Sequence, residues 1–245
     1  MVYYDDLQNV KPKKTIIFSV EGNIGSGKST LLKLLEAAYM NENINICFLQ
    51  EPVKEWDNFK DSEGISILEN YYKDQVKYSF QFQMMAYITR LNSLRKALKK
   101  NYDIIITERS VMTDKNVFAK MLFDSNKISK IEYEIYNTWF NEFLDDIPEQ
   151  FIIYLETNPD IANDRVLKRG REGENIPIEY LRQCHQYHHN WLINDFESNN
   201  LIKIDGNHNY FDNKNYLKSS IDQISNFIKN KILANMPYFK PINLS

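Results

Sequence analysis

Along this chain, short continuous apolar runs alternate with stretches in which apolar positions recur at helical spacing. The runs are Thr15 to Val20, Ile44 to Gln50, Asp103 to Thr107, Phe151 to Leu155, and Leu201 to Ile204. Each is rich in β-branched or aromatic residues and too short for a helix, so each reads as a buried strand. Helical spacing governs Ser29 to Met40, Gln75 to Lys100 and Ser129 to Phe143. Ser129 and Glu132 stand three apart, as in a capping box at the start of the third. Asn158-Pro159 places a cap and a first-turn proline before a helix running to about Lys168, and Pro177 likewise opens the helix carrying Tyr180 to Phe196. Strands alternating with helices predict an α/β fold, with a five-stranded parallel sheet flanked by helices and joined by right-handed crossovers. Residues 1–14 lack periodicity and end in Lys11-Pro12-Lys13-Lys14, which reads as an arm. Residues 231–245, with Pro237 and Pro241, read as a surface tail, leaving 15–230 as one domain.

The join between the first strand and the first helix carries the most specific chemistry. Gly22-Asn23-Ile24-Gly25-Ser26-Gly27-Lys28-Ser29 fits the phosphate-loop pattern at every fixed position, with Thr30 continuing into the helix. Glycines let backbone N–H groups turn toward a polyphosphate, and the helix start adds orphan donors. Lys28 then supplies a cation for the β/γ-phosphates, and the Ser29 hydroxyl is a ligand for Mg²⁺.

An open parallel sheet binds ligands beyond the carboxyl ends of its strands. The second and third strands end there in Glu51-Pro52-Val53 and Glu108-Arg109-Ser110. The set suits phosphoryl transfer. Glu51 is the base for an acceptor hydroxyl, Arg109 and Lys28 meet the developing charge, and Glu108 faces Mg²⁺ opposite Ser29. Arg165, Arg169 and Arg171 form a cationic helix end. Arg165 and Arg169 share a face and Gly170 turns the chain, so the three read as an arginine-bearing lid over a triphosphate.

Composition narrows the setting. The chain has 245 residues, 43% apolar and 26% charged, with a net charge of −3. That balance argues against disorder and gives no footprint for nucleic acid or an anionic membrane. Cys47 and Cys184 make neither a metal nor a disulfide spacing, which fits a reducing compartment. No apolar run reaches membrane-spanning length, and the N-terminus, with Asp5 and Asp6 and no arginine, does not read as a leader. A cytoplasmic protein is expected.

These residues, taken together, resemble a known family, the deoxyribonucleoside kinases that group deoxycytidine, deoxyguanosine and mitochondrial-type thymidine kinases. The resemblance spans roughly residues 14–230. It rests on Glu21 to Thr30, Glu51-Pro52-Val53 with Trp56, Tyr78 to Gln83, Glu108 to Val111 with Asp114 and Phe118, and Arg169-Gly170-Arg171 followed by Ile176 to Leu181. It implies a P-loop kinase fold, ATP or another nucleoside triphosphate as donor, Mg²⁺, and a homodimer formed through helices. By that resemblance Glu51 takes the proton of the nucleoside 5′-hydroxyl, Arg109 stands beside it, and Glu108 is the carboxylate on the metal side. Gln83 reads the base edge within walls made by Val53, Trp56, Phe82 and Phe118, and Tyr72 meets the sugar 3′-hydroxyl. The lid is one residue shorter than the family pattern, so Glu174 and Glu172 both qualify as Tyr72's partner; Glu174 is the one taken. Residues Asp205 to Asp212 resemble the loop that holds adenine. Met112 and Asn116 replace tyrosines of the family pattern, an expected change in the polarity of the inner pocket.

Base preference rests on three positions, Ala86, Arg90 and Asp114. Ala86 and Arg90 share a helix face with Gln83, and Asp114 follows the third strand. An arginine–aspartate pair there resembles the relatives acting on deoxycytidine and purine deoxynucleosides, so deoxyadenosine, deoxyguanosine or deoxycytidine is expected over thymidine. The alternatives are a thymidine-preferring kinase and a nucleoside monophosphate kinase, which needs a further cationic cradle where residues 56–90 offer only Arg90 and a few lysines. A guanine-specific switch would show Asn-Lys-x-Asp after a strand, where this chain has Glu156-Thr157-Asn158-Pro159.

Overall fold

The computed structural model describes residues 15–144, 147–171, 173–194 and 198–235. The N-terminal arm expected over 1–14, Glu172, Phe196, and residues 236–245 of the expected tail lie outside the described residues.

The first strand, β1 (Ile16–Glu21), is buried along its whole length, as are β3 (Ile104–Glu108) and nearly all of β4 (Gln150–Glu156). Strands covered on both faces need continuous apolar runs, and the sequence supplies them. With β2 (Ile46–Leu49) and β5 (Leu201–Asp205) they form a five-stranded, all-parallel sheet in the order β2-β3-β1-β4-β5. Successive side chains leave a strand on opposite faces. Ile16, Phe18 and Val20 meet α1 (Lys28–Tyr39) and the last helix on one face, whereas Ile17 and Ile105 meet Leu94 and Ala97 on the other.

The longest helix lies on that second face. After the short α2 (Val53–Trp56) and α3 (Ile67–Lys73), α4 (Gln75–Leu98) starts at Asp74, whose carboxylate accepts from the Lys77 amide. Beyond β3 the chain turns straight into a helix, written here as α5 (Val111–Thr113), a π-helical stretch (Asp114–Ala119) and α6 (Lys120–Asp124). α7 (Lys130–Glu142) opens with the expected capping box, and α8 (Pro159–Arg169) with the expected Asn158 cap. α9 (Ile178–His189) follows Pro177 and continues as a π-helical turn over Asn190–Asn194. α10 (Lys214–Asn235) corrects the expected boundary at 230: Ile224, Ile228 and Ile232 recur every fourth residue and are all buried.

Candidate active site

The P-loop leaves β1 at Gly22 and enters α1 at Lys28. Its shape depends on close backbone approach. At Gly25 (φ +76°) a Cβ would stand 2.3 Å from the Ala162 carbonyl oxygen of α8, so only glycine fits. Asn23 anchors the loop rather than facing the cleft, donating through Nδ2 to the Leu181 carbonyl of α9 (2.8 Å). The Ser26 carbonyl accepts from Arg165 Nη1 (2.9 Å) and from the Thr157 hydroxyl (3.2 Å). Ile24, Gly25, Gly27, Lys28, Ser29 and Thr30 line a cleft of about 1040 Å³. That volume is at the upper end for a small-molecule site and leaves room for two substrates at once.

Glu51, Glu108, Arg109, Arg90 and Asp114 meet on the floor of this cleft. Arg109 Nη1 donates to both Glu51 oxygens (2.8 and 2.7 Å), and Arg90 Nη2 donates to Glu51 Oε1 (2.8 Å). Burial alone would raise the pKa of Glu51, but Arg109, Arg90 and Lys28 outweigh it and hold the carboxyl well below the usual range. Arg90 also donates through Nε to Asp114 Oδ2 (2.9 Å), through Nη2 to Asp114 Oδ1 (3.3 Å), and through Nη1 to the Glu108 carbonyl (3.1 Å). The Arg90–Asp114 pair thus lies in the cleft and, through Arg90, is tied to Glu51. Ser29 Oγ donates to Glu108 Oε1 (2.6 Å), which sets two hard oxygen donors side by side below the P-loop. Lys28 Nζ donates to the Asn23 carbonyl (2.6 Å). Burial lowers its pKa to about 7, with repulsion from Arg109 adding to it.

One end of the cleft is aromatic. Val53, Trp56, Tyr72, Phe82, Gln83, Ala86, Phe118 and Glu174 all line it. Tyr71, with no role read from the sequence, stacks on Phe82 (centroids 4.5 Å, 15°), and Trp56 meets Phe82 edge-on (5.4 Å). Gln83 is buried and its Oε1 has no hydrogen-bond partner within the protein, an acceptor left for a ligand. Phe118 carries the Arg109 guanidinium over its ring at 5.2 Å. Met112 and Asn116, expected to alter the pocket, do not line the cleft; Met112 packs into the core beneath it.

The donor end departs most from expectation. Arg165 is not a free lid cation, because Nη1 bonds the Ser26 and Gly206 carbonyls and Nη2 the His208 carbonyl (2.9, 2.8 and 3.0 Å). It ties the P-loop to the loop after β5. Arg165, Arg169 and Arg171 all line the cleft, and Arg169 and Arg171 pair with Glu174. Asp205 does not line it. Its Oδ1 instead accepts from the Asn207 amide and side chain (2.9 and 2.7 Å), shaping a loop whose residues 207–212 do. The described residues contain no helix long and apolar enough to cross a membrane, and both cysteines are free.

The family model described as deoxynucleoside kinase matches residues 18–229. The probable deoxycytidine kinase of Fowlpox virus (strain NVSL) is 38% identical, over 86% of this chain and 87% of that protein. Deoxycytidine kinase 2 of Gallus gallus is 32% identical, over 91% and 94% of the two chains. Mitochondrial thymidine kinase 2 of Homo sapiens is 32% identical, over 77% and 68%.

Proposed function

The chain belongs to the deoxynucleoside kinase family, and from that premise we propose that it phosphorylates the 5′-hydroxyl of deoxyadenosine, deoxyguanosine or deoxycytidine in preference to thymidine, with ATP as donor. The observation that carries this preference is the buried Arg90–Asp114 pair beside the unpartnered Gln83 Oε1. Charged and amide groups there suit the amino and ring-nitrogen edge of a base better than the 5-methyl edge of thymine. The test is kcat/KM for the four deoxynucleosides. A clear preference for thymidine refutes the reading.

In this mechanism the acceptor hydroxyl lies against Glu51. As its oxygen bonds the γ-phosphorus, the bond from phosphorus to the β-bridging oxygen breaks, the hydroxyl proton passes to a Glu51 oxygen, and ADP leaves. Two arginines make Glu51 a weak base, which suits a loose transition state that releases the proton late. Glu51 therefore orients the hydroxyl and receives its proton. Arg109 and Lys28 face the charge growing on the transferred group, and Arg169 and Arg171 close from the lid. Ser29 Oγ and Glu108 Oε1 are hard oxygens that fit Mg²⁺ and would hold it. When bound, the ion would neutralise charge on the triphosphate.

A homodimer is supported by Ile131, Ile135 and Trp139, an exposed apolar stripe at fourfold spacing on α7, with Ile88 exposed on α4. Two free thiols support a reducing compartment such as the cytoplasm.

A further inference from the structure

Arg109 has a backbone that its side chain disfavours. Its φ is +62°, in the left-handed region, which a long non-glycine residue holds only where its surroundings fix it. The two amides of this turn are held by consecutive residues of β1. The Arg109 N–H donates to the Val20 carbonyl (3.0 Å), and the Ser110 N–H donates to Glu21 Oε1 (2.9 Å). The other Glu21 oxygen accepts from the Thr113 hydroxyl. Glu21 is wholly buried at the end of β1, and the mechanism above gives it no task.

Stability alone is a poor reason for this carboxylate. Burying it carries a desolvation cost that an apolar or amide side chain of similar size avoids. What a carboxylate offers instead is two acceptor oxygens and no donor, matched to the two donors that follow Arg109. Charge-assisted bonds are shorter and stiffer than neutral ones. We infer that Glu21 is a positioning residue for phosphoryl transfer: its carboxylate clamps the Ser110 amide and Thr113 hydroxyl, and thereby locks the left-handed turn that aims Arg109 at Glu51 and the acceptor hydroxyl. The inference rests on the role proposed above for Arg109.

Displacing a reacting group by about 1 Å costs on the order of 10²-fold in rate. Glu21→Ala is therefore expected to lower kcat by about 10²-fold, with the nucleoside KM changed no more than about twofold. Glu21→Gln keeps one acceptor oxygen and is expected to lose roughly tenfold; Thr113→Val, which removes one donor, is expected to behave alike. The deciding experiment is a double-mutant cycle. Glu21→Gln and Arg109→Ala are assayed singly and together, with thermal melts confirming that each variant is folded. If Glu21 acts through Arg109, Glu21→Gln costs less than about threefold in the Arg109→Ala background. An equal loss in both backgrounds overturns the inference, as does an unchanged kcat in folded Glu21→Gln and Thr113→Val. Near-normal turnover of Arg109→Ala alone is a different failure, because it removes the assigned role of Arg109 itself. Should Glu21→Ala not fold, the Gln and Val variants carry the test.

Discussion

Lys28 gives the most quantitative expectation. Its ammonium is buried between the P-loop backbone and Arg109, and loss of hydration lowers its pKa to about 7 despite Glu108, Glu51 and Glu21 nearby. A bound triphosphate brings several negative charges beside it, so in the complex Lys28 is protonated. With a pKa of about 7, the protonated fraction in the free protein falls from about one half at pH 7 to about a tenth at pH 8 and a hundredth at pH 9. Binding must restore the missing proton. Uptake per ATP therefore rises from about 0.5 at pH 7 to about 0.9 at pH 8, and Kd weakens about tenfold from pH 8 to pH 9, about 1.4 kcal/mol. Phosphate ionisation is complete in that upper range and adds no opposing slope. Titration calorimetry with MgATP, in HEPES and in Tris, reads the uptake from the difference in buffer ionisation enthalpy. Lys28→Arg keeps the charge at every pH and should abolish both uptake and slope. A flat Kd from pH 7 to 9 with no proton uptake by the wild-type protein would falsify the argument.

Three further expectations follow from the same site. Glu51→Gln keeps the shape but loses the proton acceptor, so turnover should fall by on the order of 10²–10⁴ while nucleoside binding, followed by fluorescence, survives; near-normal turnover removes Glu51 as base. Replacing Arg169 or Arg171 by alanine should lower kcat more than it raises the nucleoside KM, whereas Arg165→Ala, which frees the Ser26, Gly206 and His208 carbonyls, should also weaken ATP binding; unchanged kinetics in all three would remove them from the reaction. His188 is neutral in the fold, its pKa lowered to about 3 by burial, although its Nδ1 is hydrogen-bonded with the Cys184 carbonyl. The unfolded chain takes up that proton below its ordinary pKa of about 6.5, so this contribution to stability is complete above pH 6.5 and falls by up to about 1.4 kcal/mol per pH unit below it. His188→Phe should flatten that part of the pH dependence in urea titrations, and identical slopes for the two proteins would dismiss it.

Local pattern reveals local structure, and that decides what the sequence made legible. The strand runs, the Ser129 capping box and the Asn158 cap all depend on neighbours within four residues, and each stands within a residue or two of its expected place. The P-loop is legible for the same reason. α10 was not read, although Leu217, Ile221, Ile224, Ile228 and Ile232 recur at helical spacing, and the prolines beyond it drew the expected boundary inward. Asp205 and Arg165 show the limit. Both were expected to meet ATP; Asp205 lies outside the cleft lining and shapes its loop instead, while Arg165 lines the cleft and also bonds three carbonyls, and nothing in its spacing announces a carbonyl 139 residues away. Glu21 is the same case: its two donors lie 89 and 92 residues on, and from the sequence it is only the last residue of a strand.

That long-range wiring also bears on how selection of the base and transfer of phosphate can be joined. Four of the five donor N–H groups of Arg90 are engaged, with Asp114, Glu51 and the Glu108 carbonyl. The same Glu51 oxygen that accepts from Arg90 accepts from Arg109. A nucleobase that draws on Asp114 or on Arg90 therefore competes for bonds that now hold Glu51 in place. Arg90 cannot be altered without moving charge at Glu51: its removal takes away one of three cations that keep Glu51 ionised, and leaves Asp114 buried without its partner. Losing one half of a buried pair costs about 3–5 kcal/mol, far more than an exposed pair is worth. Changes of base preference at this site should thus require Arg90 and Asp114 to change together, with Glu51 left to Arg109 and Lys28.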